Sequence, residues 1–271
     1  MSSTDPAERV SRKDTSNRSR ELAKSAMPRV GTTARRAMLR LGYDVRRIHA
    51  PEWADFTDDQ LNLCAEVQMY TQTSRERIVT LADAVEYVIR RRIPGDFVEC
   101  GVWLGGSSMV IAKTLLRLGI SDRRIWLYDT FGAMPQPEER ERMVNRDFAG
   151  RLPPPAKSDV PHGAYLPTVR ANMESTGYPP HLISYVCGLV EETIPEQAPA
   201  EIALLRLDTD WYSSTSHELK HFYPRVATGG VLIVDDYGHY YGARKAVDEY
   251  FEHSPILLTR VDYTGRMGVK V

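Results

Sequence analysis

Three carboxylates close two apolar runs of this sequence: Asp208 ends IALLRLD, and Asp235 and Asp236 end VLIVDD. Burying an unpaired carboxylate beside a dry strand is costly, so each acid needs a positive partner. Neighbouring strands lie about 4.8 Å apart, which lets acids at adjacent strand ends converge on one ion. An all-oxygen set without nearby histidine or cysteine suits a hard cation, Mg2+ first and Mn2+ or Ca2+ next. In an extended strand Asp235 and Asp236 point to opposite faces, so both reach one ion only if the chain turns there, which Gly238 permits. One of the two could instead cap the helix after Gly242 or pair with Arg244. Asp210, in DTDWYSST, reads mainly as the start of a helix and less as a ligand. His217 and His239 are secondary candidates for proton transfer.

A second set of residues lies in ECGVWLGGSS. Gly101, Gly105, Gly106 and Ser107 form a turn between a strand and a helix, where backbone N–H groups welcome a carboxylate or phosphate. The spacing is not the G-x-G-x-x-G of a dinucleotide site, which argues against a nicotinamide cofactor. Asp129, ending the next strand, can accept both hydroxyls of an adenosine ribose. Glu99 is placed to order the turn by accepting its amide hydrogens. Thr130 and Phe131 beside Asp129, and Gly188 after LISYVC, complete the expected cofactor-binding positions. One carboxylate to bind and one ribose to read suit S-adenosylmethionine. Methyl transfer from its sulfonium to a hydroxyl needs alignment and removal of the acceptor's proton. A cation lowers that hydroxyl's pKa, and Asp208 is the first choice for the base.

The elements that must position these residues begin at Gly95, where strand and helix patterns alternate. DFVECGV, RRIWLYDTF, LISYVCG, EIALLRLDTD and GGVLIVDDYG read as strands, with helices between them. PILLTRVDY and RMGVKV read as a closing antiparallel pair. Continuous apolar strands alternating with helices predict an α/β fold with a mostly parallel sheet covered on both faces. Ligands in such sheets sit at the carboxyl ends of the strands, where all of the residues above fall. Three regions are expected: a basic arm over 1–50, a helical lid or oligomerisation segment over 51–94, and a catalytic domain over 95–271. That domain carries an insertion at 132–181, rich in charge and proline, with one helix near 165–176. Leu81, Val85 and Val88/Ile89 mark the buried face of the preceding helical segment.

Four motifs in order, DFVECGVWLGGSS, LYDTF, LRLDTDWYSSTSHEL and GGVLIVDDYGHYYGARKAVDEYF, resemble the macrocin O-methyltransferase (TylF-type) family. The resemblance spans roughly residues 75–271. It implies a class I, Rossmann-like methyltransferase sheet and a Mg2+-dependent, S-adenosylmethionine-dependent O-methyltransferase (EC 2.1.1). It maps a metal triad onto Asp208, Asp235 and Asp236, and cofactor contacts onto the Glu99–Ser107 turn and Asp129. It further implies sugar or glycoside acceptors and a homo-oligomer in which N-terminal segments reach a neighbouring subunit. Adjacent hydroxyls on the acceptor suit such a metal, which a saccharide offers directly. A catechol or phenolic natural-product core, or a non-catalytic S-adenosylmethionine-binding module, are the alternatives.

Residues 1–50 hold 12 Lys/Arg against 5 Asp/Glu, about +7, while the whole chain carries −1. No aromatic interleaving or nucleic-acid motif accompanies that charge, so a nucleic-acid partner is not expected. No apolar run is long enough to span a membrane, and the N-terminal stretch lacks the apolar centre of a secretory signal. Cys64, Cys100 and Cys187 are odd in number and scattered, which fits a reduced, cytoplasmic protein without structural zinc.

Overall fold

The computed structural model describes residues 38, 40, 41, 53–132, 163 and 165–271. The chain divides into two compact units, 1–54 and 55–271, and the architecture below is that of the second. Most of the basic arm and residues 133–162 of the insertion lie outside the described residues.

Five strands run parallel: β1 (Asp96–Cys100), β2 (Ile125–Asp129), β3 (Ile183–Cys187), β4 (Ile202–Leu207) and β5 (Val226–Val234). The last two, β6 (Thr259–Arg260) and β7 (Arg266–Val269), form an antiparallel pair, and β7 runs antiparallel to β5. The sheet order is β3-β2-β1-β4-β5-β7-β6. Its chain order reverses between β1 and β4, which opens the crevice where ligands bind in sheets of this kind. The strand expected over PILLTRVDY shrinks to two residues, because its apolar run lies at the sheet edge with Leu257 exposed.

Two helices precede the sheet, α1 (Asp58–Val67) and α2 (Arg75–Arg90). Thr57 and Gln60 start α1 with a reciprocal capping box, and the Ser74 hydroxyl accepts the Arg77 amide to start α2. The expected stripe Leu81, Val85 and Val88 is buried in the sheet's own core. Residues 55–94 therefore belong to the same unit as the sheet. Next come α3 (Gly106–Arg117), α4 (Leu166–Glu174), a single turn α5 (Val190–Thr193), α6 (Tyr212–Phe222) and α7 (Tyr241–Tyr250). Helix α4 is the one expected within the insertion, and Val169 and Met173 anchor it in the core.

Strand alternation sorts the interior into two layers. Phe97, Leu127, Leu204, Val231 and Ile233 face α1, α2 and α3. Val98, Tyr128, Leu205, Leu232 and Val234 face Leu219 and Phe222 of α6 and Val247 of α7. Each such buried Val or Leu contributes about 1.5–3 kcal/mol through removal of apolar surface from water. Both layers stop at the carboxyl ends of the strands, where the chain turns polar.

Candidate active site

Parallel register places Glu99 of β1 beside Arg206 of β4, with Ile233 of β5 next across. All three side chains point toward the α2–α3 layer, and Asp235, two residues past Ile233, follows the same face. Arg206 is almost fully buried and divides its guanidinium among three acids. Its Nη1 lies 2.7 Å from Glu99 Oε1, and its Nη2 lies 2.8 Å from both Asp208 Oδ2 and Asp235 Oδ1. Burial alone would lower its pKa, but the three carboxylates more than reverse this and hold it charged. Ser108 of α3 donates to the second Glu99 oxygen. Burial raises the Glu99 carboxyl, against the pull of Arg206 and that hydroxyl.

Arg77, from the first turn of α2, pairs with the other Asp235 oxygen and, through Nε at 3.0 Å, with Asp262. The positive partners of Asp235 are therefore two arginines. Its neighbour Asp236 turns the other way and joins Asp208 and Asp210, their carboxylate oxygens all within 4.8 Å of one another. The structure thus brings together two of the three acids expected to share a metal, with Asp210 where Asp235 was expected. Residues 235 and 236 bend directly after β5, and their side chains part, Asp235 to the two arginines and Asp236 to the other acids.

The cluster is electrostatically unfinished. Asp208 is raised well above the ordinary carboxylate range by burial, with Asp235 and Asp236 adding to the rise and Arg206 opposing it. Asp236 is raised by burial and by Asp210 and Asp235, and its carboxyl hydrogen-bonds to those of Asp210 and Asp208. Asp210 is pushed up to about 8 by burial and by Asp208. It also sits at φ 67°, a strained backbone for a residue with a side chain. Acids in such contact cannot all ionise unless a proton or cation lies among them.

On the other side of β4, Gly101 ends β1 at φ +81°, and a Cβ there would lie 1.9 Å from the Asp208 carbonyl oxygen. Only glycine lets the β1 turn close onto the loop that carries Asp208. Asp129, not Glu99, ties this turn down. Its Oδ2 accepts the amides of Val102 at 2.6 Å and Trp103 at 3.1 Å, and its Oδ1 accepts that of Phe131 at 2.7 Å. Glu99 is drawn away by Arg206, a stronger partner than neutral amides. The Thr130 hydroxyl also donates to Oδ1 at 3.5 Å, so these contacts take up the roughly four acceptor positions of the carboxylate, and a ligand hydroxyl would displace one of them.

Thr130 and Phe131 are buried, and the Thr130 carbonyl accepts the Gly163 amide at 2.8 Å. Gly188 donates to the Asp129 carbonyl at 3.1 Å. Gly105 precedes α3, Gly106 opens it, and Ser107 lies in its first turn beside Arg206 and Asp235. These positions all follow β1, β2 or β3, at the carboxyl side of the sheet. His217 is turned to the Ile194 carbonyl, 2.9 Å from its Nε2, while His239 lies just beyond the acid cluster. Sequence reasoning passed over Arg77 and Arg206. Arg206 left a signal, as the lone charge in the apolar run IALLRL, which a buried acid on the next strand had to meet.

The sheet order, the glycine turn at the reversal point and the acids across it define a class I methyltransferase fold. A family model described as macrocin-O-methyltransferase (TylF) matches residues 18–267, and the chain belongs to that family. It is an O-methyltransferase of the S-adenosylmethionine-dependent class. The chain is 34% identical over 186 residues to a tetracenomycin-C 4'-O-methyltransferase from Streptomyces olivaceus, whose full name specifies a dimethoxyrhamnosyl substrate; 67% of each chain is covered. It is 31% identical to mycinamicin III 3''-O-methyltransferase from Micromonospora griseorubida, over 67% of this chain and 70% of that one. Among solved structures it resembles the O-methyltransferase NovP, with a TM-score of 0.63 and 30% identity, covering 74% of this chain and 82% of that one.

Proposed function

We propose that the protein transfers the methyl group of S-adenosylmethionine to a hydroxyl of a saccharide or glycoside acceptor, with a Mg2+ ion held at the ends of β4 and β5. The carboxylate cluster of Asp208, Asp210 and Asp236 carries this reading. Its donors are all oxygen, its excess negative charge is unmet within the cluster, and the β1 glycine turn packs directly against the loop that carries it. The relatives named for sugar-bearing substrates support a saccharide acceptor.

In this reading the amides of the β1 turn and the first turn of α3 receive the carboxylate of the methyl donor, and Asp129 receives its ribose. Asp208, Asp210 and Asp236 would hold the cation, which when bound would lower the pKa of the acceptor hydroxyl and fix its direction. Asp208 is the first choice for the base from the sequence, and in the fold its carboxylate is ion-paired with Arg206 at 2.8 Å. Asp210 lies in the same cluster and forms no ion pair with an arginine among the described residues, and we assign it the acceptor's proton. Asp235 neutralises Arg77 and Arg206 and keeps Arg206 aimed at Asp208.

The test is calorimetric titration with S-adenosylhomocysteine, with and without Mg2+, followed by methyl-transfer assays on saccharide and catechol acceptors. Mg2+-dependent transfer to saccharides is expected, and transfer to catechols alone would overturn the acceptor class. Asp210→Asn is expected to keep S-adenosylhomocysteine binding while turnover falls at least about 10²-fold. Near-normal turnover in that variant removes Asp210 as the base.

A further inference from the structure

We propose that His239, Tyr240 and Tyr263, backed by Trp211, form the wall on which the sugar ring of the acceptor stacks during methyl transfer. This rests on the reading of the acid cluster as the transfer site and adds the surface that selects the substrate.

The wall is an unbroken run of rings. Trp211 and Tyr240 meet edge to face with centroids 5.2 Å apart, Tyr240 and His239 at 4.6 Å, and His239 and Tyr263 at 5.9 Å. The run starts in the loop after β4, crosses the end of β5 and finishes in the β6–β7 turn. Its position beside the acids is set by backbone. The amides of His239 and Tyr240 donate to the Asp236 carbonyl at 2.9 and 3.0 Å, folding the segment back over the cluster.

The far end is locked as firmly. Gly238 donates to the Thr264 carbonyl at 2.8 Å, and a Cβ at Gly238 would lie 1.9 Å from the Tyr263 carbonyl oxygen. Thr264 in turn bonds the Asp235 carbonyl through its hydroxyl. The turn that carries Tyr263 is thereby fixed to the acids themselves. Tyr263 is nonetheless 60% exposed. A large aromatic held rigidly and left wet, next to a reactive cluster, fits an adaptable recognition surface better than a core position.

Topology says which substrate it serves. In the order β3-β2-β1-β4-β5-β7-β6, the cofactor turns follow β1 and β2, on one side of the acids. The wall follows β4, β5 and the β6–β7 pair, on the other side. A ligand on the wall therefore lies beside the acids on the side away from the turns after β1 and β2. The chemistry says which ring. Tyr263 Oη lies 3.3 Å from His239 Nδ1, so with the phenol donating, the imidazole keeps its Nε2–H for a second bond. Apolar faces edged by a phenol and an imidazole suit a sugar, which offers C–H groups on its face and hydroxyls at its rim.

The experiment measures acceptor KM and kcat for a saccharide substrate in Tyr263→Ala, Tyr263→Phe and His239→Ala, with S-adenosylhomocysteine affinity as the control. Tyr263→Ala and His239→Ala are each expected to raise acceptor KM by about tenfold while changing cofactor affinity less than twofold. Tyr263→Phe, which keeps the ring and loses the hydroxyl, is expected to fall between. Transfer by the unaltered enzyme with an unmoved KM in both alanine variants overturns the wall alone. No transfer by the unaltered enzyme to any saccharide overturns the functional reading and the wall with it.

Discussion

At the scale of single residues, the site is organised by one arginine. Arg206 meets Glu99, Asp208 and Asp235 at once, and its burial leaves water no share in the balance. Replacing it by methionine keeps the volume but strands Glu99 and Asp235 without this counter-charge. Arg206→Met is therefore expected to cost about 3–5 kcal/mol in denaturant unfolding. Arg206→Lys should recover only part, because a point charge cannot serve three carboxylates as a planar fork does. An Arg206→Met protein as stable as the original would show that these acids are protonated in the fold and need no partner. The two arginines also help explain why the acids of VLIVDD part company: Asp235 takes both of them, while Asp236 meets Asp208 and Asp210.

At the scale of elements, the active centre depends on how closely the β1 turn approaches the β4 loop. Gly101 sits against the Asp208 carbonyl with no room for a Cβ, and its φ is unfavourable for any other residue. Gly101→Ala is expected to destabilise the fold by more than about 2 kcal/mol, through strain and displacement of the β4 loop. The same change should weaken S-adenosylhomocysteine binding, read by calorimetry at a temperature where the variant is folded. Unchanged affinity would mean that the turn is not part of the cofactor cradle. Trp103, Phe131 and Asp210, all non-glycine residues at positive φ, lie after β1, β2 and β4 respectively. Strain of this kind concentrates where strands hand over to site loops, and regular hydrogen bonding in the sheet sustains it.

At the scale of the whole molecule, acid excess couples stability to pH and to cations. The folded Asp210 carboxyl, at about 8, lies above its ordinary value of 3.8, so the fold binds more protons than the unfolded chain between those limits. Its contribution to stability is present at low pH and declines as pH rises through that window. The Mg2+-free protein is thus expected to lose thermal stability from about pH 5 to pH 8, and Asp210→Asn to flatten the decline. Mg2+ at a hundred times its Kd should restore about 2.7 kcal/mol near pH 8, and less at pH 5, where protons compete for the same oxygens. Equal Mg2+ stabilisation at both pH values would overturn the assignment of the cation to these acids. Much of this was legible in the sequence. Apolar runs alternating with amphipathic helices determined the parallel sheet, because burial on two faces leaves a continuous pattern. The carboxyl-end rule selected Glu99–Gly106, Asp129, Gly188, Asp208–Asp210 and Asp235–Asp236 from the sequence, and it named Asp235 rather than Asp210 among the metal ligands. Only the tertiary structure decided the rest: that Arg77 and Arg206 take Asp235, that Asp210 joins the cluster, and that Asp129 rather than Glu99 holds the glycine turn. Those choices rest on register between strands far apart in the chain and on the direction in which a chain leaves its strand. A linear pattern carries neither, since a shift of one residue reverses the face of every side chain.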